Sequence, residues 1–449
     1  MTVALTREAL EAHLERGLMQ ALEETLAEEH PADVAALLAD LPPTEAWRVL
    51  ALMPAPRQAE TFGYLPHPAA ARLVETGERA RLALVVSEMN ADERADLYNA
   101  LSETHHEAFI PALAKAERED LRRLAAYPPD TAGALMTSDY ATLAPDLSAR
   151  AALEKLRLEA PDKETIYRAY VVDREGLLVG SVRLQDLILA KPDATVDGFM
   201  ERRTLAVPVD ADREDVARKI AKYDVLALPV VDADGRLVGI VTHDDATDAM
   251  EAEVTEDFHK AGGSVSIAGG LRDASLWLLY RARVPWLVVL VFGNLFSGAG
   301  IAAFEDVIAA NVALVFFLPL LIDSGGNAGA QASTLMVRAL ATGDVRMGDW
   351  GRMLARELSV AFLLGLTMAL AVSGLGYVRG GPEIAIIVAS SMVIIVTVGS
   401  LIGMTLPFVL TRLKFDPATA SAPLITSIAD ATGVLIYFAI ATQFLIPAL

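Results

Sequence analysis

Five long stretches near the C-terminal end of this 449-residue chain contain almost no charge. Residues 284–304, 358–378 and 384–411 carry none. Residues 307–337 carry only Asp323, and residues 417–449 carry only Asp430. Crossing a bilayer takes about 20 apolar residues. A core helix of a soluble protein seldom runs so far without a charged side chain. The pattern predicts five membrane spans, and it raises the question of why two carboxylates are left inside them.

Charge outside the spans sets an orientation. Basic residues cluster on the cytoplasmic side of membrane proteins. Arg272, Arg281 and Arg283 precede the first span, and Arg338, Arg346, Arg352 and Arg356 lie between the second and third. Arg412 and Lys414 lie between the fourth and fifth. All nine share one side, whereas the other holds Arg379 beside Glu305, Asp306 and Glu383. This predicts a multi-pass protein of the cell (inner) membrane with its N-terminus cytoplasmic and its C-terminus outside. No cleaved signal is read at the N-terminus.

From residue 271 onward acids and bases balance at ten each, so the net charge of −21 lies entirely in the first 270 residues, with 49 acids against 28 bases. So acidic a region repels nucleic acid and anionic lipid and favours divalent cations. The chain has no cysteine, which excludes disulfides and thiolate metal sites and fits a reducing compartment.

Residues 1–128 place apolar side chains at three- and four-residue steps, interrupted by prolines every 10 to 15 residues, as in "HPADVAALLADLPPTEAWRVLALMPAPRQAETFGYLP". That spacing predicts an all-α helical-repeat N-domain. Residues 129–250 contain a duplication. "AYVVDREGLLVGSVRLQDLI" aligns with "LPVVDADGRLVGIVTHDDAT" at an offset of 59, matching Val171, Gly176, Gly180 and Asp186 to Val230, Gly235, Gly239 and Asp245. Each copy reads as strand, glycine turn, strand and helix start. "DADG" is read as a hairpin turn. A calcium loop from Asp232 would need a bidentate glutamate at its twelfth position, which is His243.

The duplicated pattern resembles a tandem pair of CBS domains, an α+β module. Many such pairs bind adenosine nucleotides through a hydroxyl residue and an aspartate. Thr242 and Asp245 stand at those positions in the second copy. The first copy keeps Asp186 but has Arg183 in place of the hydroxyl. Residues 251–283 then read as an acidic linking helix and a connecting helix at the membrane surface, ahead of a five-helix transmembrane domain over residues 284–449. The alternative for the connecting helix is an extension of the first span.

An ionisable group within a span usually faces water or a partner. Asp430 lies in "APLITSIADATG", rich in small and hydroxyl residues, with Pro423 about two turns before it. Asp323 lies in "LPLLIDSGGNAGAQASTLMVRALATGD", where Pro319, Gly325, Gly326 and Gly329 suggest a bent or close-packed helix and Asn327, Gln331, Ser324, Ser333 and Thr334 supply uncharged polar groups. "GGNAGAQ" with "VRALATGD", and "DPATASAPLITSIADATGVLIYF", resemble signatures of the MgtE family of magnesium channels and transporters. The resemblance runs the length of the chain. It implies a homodimer with a pore on its two-fold axis, where Asp430 from each subunit binds hydrated Mg2+, with Asp323, Asn327, Gln331 and Thr426 as pore-lining candidates. Positions 330 and 422, polar in some members, are alanine here. It also implies regulation by cytosolic Mg2+ at Glu60 and Asp92 in the N-domain, at Asp212, Glu214, Asp224, Asp245 and Asp248 in the CBS region, and at Glu253, Glu256 and Asp257 in the linking helix.

The chemistry suits these expectations. Mg2+ sheds water reluctantly and takes one or two carboxylates. A divalent cation entering a cell at 100 mV negative gains about 4.6 kcal/mol, so influx needs no pump, and no nucleotide-hydrolysing G-x-x-x-x-G-K-[ST] motif is present. Oxygen sites also accept Mn2+, Co2+ and Ni2+, which leaves a transporter of other divalent cations as an alternative. An intramembrane aspartyl protease would also use two aspartates within spans. "IADATG" lacks that class's G-x-G-D, and "LIDSG" lies in a run of helical length, so an enzyme is not expected.

Overall fold

A computed structural model describes residues 5–101, 106, 113, 115–265 and 274–445. The described residues form two compact units, 1–252 and 253–449.

In the first unit short helices run from Arg7 to Leu124: α1 (Arg7–Arg16), α2 (Met19–Glu28), α3 (Pro31–Ala39), α4 (Pro43–Leu50), α5 (Ala55–Gly63), α6 (His67–Thr76), α7 (Arg79–Glu88), α8 (Ala91–Ala100) and α9 (Lys115–Leu124). Prolines occupy the first turn of α3, α4, α5 and α6, where their missing N–H costs no hydrogen bond. Helix α3 packs on α5, α5 on α7, α4 on α6 and α6 on α8. Each helix is too short to be stable alone; from α3 to α8 apolar faces are buried on the next helix but one, and α1 packs on α2. Leu22, Val49, Leu50, Val85 and Val86 are fully buried in the resulting core.

The duplicated region folds as two three-stranded sheets. Strand β1 (Tyr140–Leu143) is parallel to β2 (Thr165–Val172), which is antiparallel to β3 (Leu178–Arg183); β4 (Val207–Pro208), β5 (Ala227–Val231) and β6 (Leu237–Thr242) repeat the order. The register repeats as well, with Val171 opposite Gly180 and Val230 opposite Gly239. "DREG" and "DADG" are hairpin turns. Asp173 accepts from the N–H groups of Glu175 and Leu177, Asp232 from those of Asp234 and Arg236, and Gly176 and Gly235 take φ of 83° and 84°. Such angles suit glycine.

The N-domain and the second copy share one core. Leu121 and Leu124 of α9 cluster with Val207, Leu228, Val230 and Val241. Asp139 Oδ2 accepts from the N–H of Ala91 at 3.2 Å and so caps the start of α8. These contacts fix the N-domain acids against the CBS region. A single helix, α10 (His243–Ala261), follows β6 and crosses the boundary between the units.

The second unit is helical: α11 (Leu276–Ala303), α12 (Glu305–Ala310), α13 (Ala313–Ala341), α14 (Trp350–Arg412) and α15 (Ala422–Leu445). Helices α11, α13, α14 and α15 are long and apolar enough to cross a membrane. The 63 residues of α14 are two helices, because Gly381 has non-helical angles of φ 77° and ψ −171°. A Cβ added at Gly365 would sit 2.9 Å from the Cα of Val393, and one added at Gly376 would sit 2.9 Å from the Cα of Ala385. The halves therefore fold back as a hairpin, so that the four long helices make five helical segments among the described residues. The second begins later than expected: residues 307–310 belong to α12, which ends before Asn311. Among the described residues no separate surface helix precedes the first, since Leu276 runs unbroken into α11. Residues 269–273 of the expected connecting helix lie outside the described residues.

Candidate cation sites

The first candidate site lies between the N-domain and the CBS region, within the first unit. Helix α5 brings Glu60, α8 brings Asp92, Glu93 and Asp96, the lead into β2 brings Glu164, and the first turns of α10 bring Asp244, Asp245 and Asp248. They feel one another electrostatically: Glu93 is raised by Asp92, Asp245 and Glu60, and Glu164 by Asp92, Asp245, Glu93 and Asp244.

Burial is the largest perturbation at Asp92, Glu93, Asp96, Glu164, Asp245 and Asp248. Asp92 is only 8 % exposed. Its carboxyl is pushed up to about 6, chiefly by burial, against the hydroxyl bond from Thr137 that favours the charge. Burial and the charge of Asp92 push Glu93 and Glu164 up to about 8 and Asp245 to about 7. The carboxylate of Glu93 lies against the Cα of Gly63, leaving no room for a side chain there. Two oxygens in this cluster, Asp92 Oδ1 and Glu164 Oε2, are buried without a hydrogen-bond partner. Leaving a buried polar atom unmatched costs about 1–3 kcal/mol, more for a charged group. The donor set is all oxygen, which suits a hard divalent cation. Among the described residues no three acidic or histidine side chains converge closely enough to chelate an ion directly. An ion here would be held through its waters, as Mg2+ commonly is.

Of the sequence-predicted regulatory residues, the structure brings Glu60, Asp92, Asp245 and Asp248 to this cluster. Glu93, Asp96, Glu164 and Asp244 complete it and were not anticipated. Glu93 and Asp244 adjoin predicted residues, and Asp96 lies one turn beyond Asp92, so helical periodicity could have found them; nothing in the sequence marks Glu164. Asp212 instead caps the helix Arg213–Tyr223, accepting from the N–H groups of Glu214 and Asp215 at 2.9 and 3.4 Å. Glu214 pairs with Arg218 at 2.6 Å. Asp224 ends the same helix in the left-handed region at φ 50°. Glu253, Glu256 and Asp257 belong to the second unit.

The nucleotide candidates separate similarly. Thr242 donates its hydroxyl to Asp245, inside the acidic cluster. Asp186 is held by Arg183 through bonds of 2.7 and 2.9 Å. A cleft of about 590 Å³ opens instead beside the first copy, lined by Tyr167, Arg168, Arg183, Gln185, Asp224 and Leu226 among others.

The second candidate site is in the membrane-length helices. Asp430 on α15 is half-buried, and its carboxylate is near enough to that of Asp323 on α13 for the two to repel. Asn327 donates to Asp323 at 2.9 Å. Asp323, Asn327 and Gln331 are exposed while Ser324, Gly325, Ala328, Gly329 and Ala332 between them are buried. Three polar side chains at four-residue steps thus form an exposed stripe on an apolar helix. Thr426 is half-buried, donates to the carbonyl of Pro423 at 3.0 Å and lies over Gly326. Sequence reading placed Glu357 outside the third span; here it accepts a hydrogen bond from Ser400, a buried hydroxyl on the other arm of the α14 hairpin.

Comparison with known proteins assigns this arrangement. Residues 318–440 match the family model described as a divalent cation transporter, MgtE, and residues 29–130 match the MgtE intracellular N domain. Residues 132–193 and 196–252 each match the CBS domain. The magnesium transporter MgtE of Thermus thermophilus is 40% identical, over 97% of this chain and 98% of that protein. The chain belongs to the MgtE family. Another member, the magnesium transporter MgtE of Bacillus subtilis, is 30% identical over 96% of each chain. Among solved structures, the cytosolic domain of the Mg2+ channel MgtE in complex with ATP matches with a TM-score of 0.52 at 38% identity, covering 54% of this chain and 99% of that one. The soluble part of a magnesium transporter matches with a TM-score of 0.51 at 29% identity, covering 55% and 97%. As an MgtE member the chain is a magnesium transporter with a CBS pair and membrane-spanning helices, and the family's work is transport rather than catalysis.

Proposed function

We propose that this chain forms a homodimeric channel for passive Mg2+ influx, closed from the cytoplasmic side by Mg2+ itself. The observation that carries the pore is the polar stripe Asp323–Asn327–Gln331, exposed at membrane depth beside Asp430. Lipid cannot solvate such a stripe, so it must meet water or a second subunit. Two Asp430 carboxylates across a two-fold axis balance the charge of one hydrated Mg2+, which keeps most of its waters. The membrane potential drives entry, with the N-terminus inside and the C-terminus outside.

The acidic cluster is the brake. Without a cation its carboxylates repel and two buried oxygens lack partners, which favours separation of the N-domain from the CBS region. Mg2+ binds the closed arrangement better than the open one and shifts the population toward it. Glu60, Asp92, Glu93, Glu164, Asp245 and Asp248 carry this role, and Glu253, Glu256 and Asp257 extend it along the linking helix. An adenosine nucleotide fits the first-copy cleft, where Tyr167 offers a ring for stacking and Arg168 and Arg183 offer guanidinium groups for phosphate. The relative's complex with ATP supports that ligand class.

The deciding experiment is Mg2+ uptake into proteoliposomes at varied internal Mg2+. Wild type takes up Mg2+ and is shut by internal Mg2+ in the millimolar range, and Asp430→Asn loses most uptake. Normal uptake by that variant would sink the pore assignment. Parallel runs with Mn2+, Co2+ and Ni2+ rank the ions.

A further inference from the structure

Helix α11 is longer than a membrane crossing needs. Its uncharged part, residues 284–303, is about 30 Å long and matches the hydrocarbon core by itself. Residues 276–283 add about 12 Å and carry the helix through the headgroup layer at its N-terminal end. Ser275 caps that end, accepting from the N–H of Leu278 at 3.2 Å.

The two faces of this extension differ. Leu279, Ala282 and Trp286 share the face turned toward the rest of the chain. Ala282 is buried, its carbonyl accepts from the N–H of Val265 at 3.1 Å, and Trp286 lies against Gly263. Trp277, Tyr280 and Arg281 share the opposite face at three- and four-residue steps, with Leu276 and Arg283 at its edges. The rings of Trp277 and Tyr280 stack with centroids 5.5 Å apart at 24°. Leu276 is 87 % exposed, Trp277 69 % and Tyr280 56 %. Arg281 and Arg283 are exposed as well, and among the described residues neither has a carboxylate partner.

Water is a poor solvent for that much apolar surface, and hydrocarbon is a poor one for two guanidinium groups. The headgroup layer suits both. Tryptophan and tyrosine rings settle there, and arginine lays its apolar stem along them while its head reaches the phosphates. A guanidinium grips a phosphate through paired hydrogen bonds. Charge then selects among lipids. A zwitterionic headgroup balances its phosphate with its own ammonium, whereas an acidic lipid keeps a net negative charge. Residues 274–283 contain two arginines and no acid, and the positive end of the helix dipole lies at the same place.

We propose that the outer face of residues 276–283 is a docking site for an acidic phospholipid, with Trp277 and Tyr280 seated in the headgroup layer and Arg281 and Arg283 holding the lipid phosphate. The site is built on a membrane-spanning helix alone, so it stands apart from the pore and the brake proposed above.

The test uses the full-length protein in phosphatidylcholine bilayers, in chelator. Phosphatidylglycerol or phosphatidylcholine with bromine on its acyl chains near the headgroup is added in rising mole fraction, and tryptophan fluorescence is read. The chain has four tryptophans, Trp47, Trp277, Trp286 and Trp350, so the Trp277 signal is the difference between wild type and Trp277→Phe. That signal is quenched by brominated phosphatidylglycerol at roughly five-fold lower mole fraction than by brominated phosphatidylcholine. Arg281→Gln with Arg283→Gln abolishes the preference. Arg412→Gln with Lys414→Gln, which removes the same charge from the end of α14, leaves it in place. Equal quenching by the two lipids overturns the site, and this comparison decides even if the Arg281 and Arg283 variant fails to fold. A preference lost equally in both double variants also overturns it, because the lipid then answers a diffuse field. If neither lipid quenches Trp277, the face is covered by a second copy of the chain and the lipid site is refuted.

Discussion

Replacing Asp92 with asparagine tests the acidic cluster without relying on transport. Asp92 is nearly fully buried, and its carboxyl is displaced from 3.8 to about 6, chiefly by burial, with Asp96 adding to the displacement. A raised carboxyl pKa means that the folded state resists ionisation. Below about pH 4 the group is protonated in folded and unfolded chains alike and costs nothing. The cost grows as pH rises above the unfolded value and is complete above pH 6. At about 1.4 kcal/mol per pH unit it reaches about 3 kcal/mol. Asparagine carries no charge, keeps an oxygen for the Thr137 hydroxyl and supplies an N–H donor to a neighbourhood of acceptors. Residues 1–252 carrying Asp92→Asn should therefore be more stable than wild type at pH 7.5 in chelator, by about 1–3 kcal/mol.

Chemical denaturation of that segment at pH 4, 6 and 7.5, with and without 10 mM Mg2+, reads the effect. Nearly the same segment of a relative has been crystallised alone. Metal-free wild type loses stability as pH rises from 4 to 8, because Asp92, Glu93, Glu164 and Asp245 all titrate upward of their ordinary values. Mg2+ flattens that slope in wild type, since a ligand of the folded state stabilises in proportion to its occupancy. In Asp92→Asn both the slope and the Mg2+ stabilisation shrink. If the variant is less stable than wild type at pH 7.5 in chelator, or gains as much from Mg2+, the cluster is not an ion-sensitive site.

Three further outcomes follow from the geometry. Asp212→Ala removes a helix cap and costs about 1 kcal/mol of stability in residues 1–252 with no change in the increment from Mg2+, because Asp212 serves α-helix Arg213–Tyr223 rather than the cluster. Gly403→Ala drives a methyl group into the carbonyl of Gly329, in a seam where a Cβ at Gly329 would itself meet the carbonyl of Gly399 at 2.6 Å; the thermal stability of the purified protein in detergent falls by the equivalent of about 2–3 kcal/mol or more. Tyr167→Ala, whose side chain is exposed beside the cleft, weakens adenosine nucleotide binding at least ten-fold by calorimetry while leaving the Mg2+ response of residues 1–252 unchanged.

Periodicity and local repetition carried most of the fold. The proline-broken helices, the offset of 59 between the two sheets and the five apolar runs all follow from rules that act within a few residues of chain. The hairpin inside α14 was legible too, because the charged residues Arg379 and Glu383 flank Gly380, Gly381 and Pro382. The acidic cluster was only half legible. Glu164 reaches it from a loop whose neighbours in sequence say nothing of α8, and Asp212 looks the same as Asp245 in a string of letters although one caps a helix and the other faces Asp92. What separates them is which acids are desolvated together, a property of packing between distant segments.

The polar stripe on α13 poses the reverse case. Its polar residues Asp323, Asn327 and Gln331 could be named from the sequence, yet residue type alone suits a bond between helices as well as a pore. The fold weighs against a bond within one subunit, because the glycines between those residues face α14 and α15 while the stripe itself stays exposed among the described residues. A single subunit that buried its small residues and left its polar ones bare in hydrocarbon would pay several kcal/mol for each unmatched group. The arrangement is stable only if something wet or symmetric completes it. That requirement, more than any single motif, is what supports the proposal that Asp430 and Asp323 line a path for a hydrated ion between two copies of this chain.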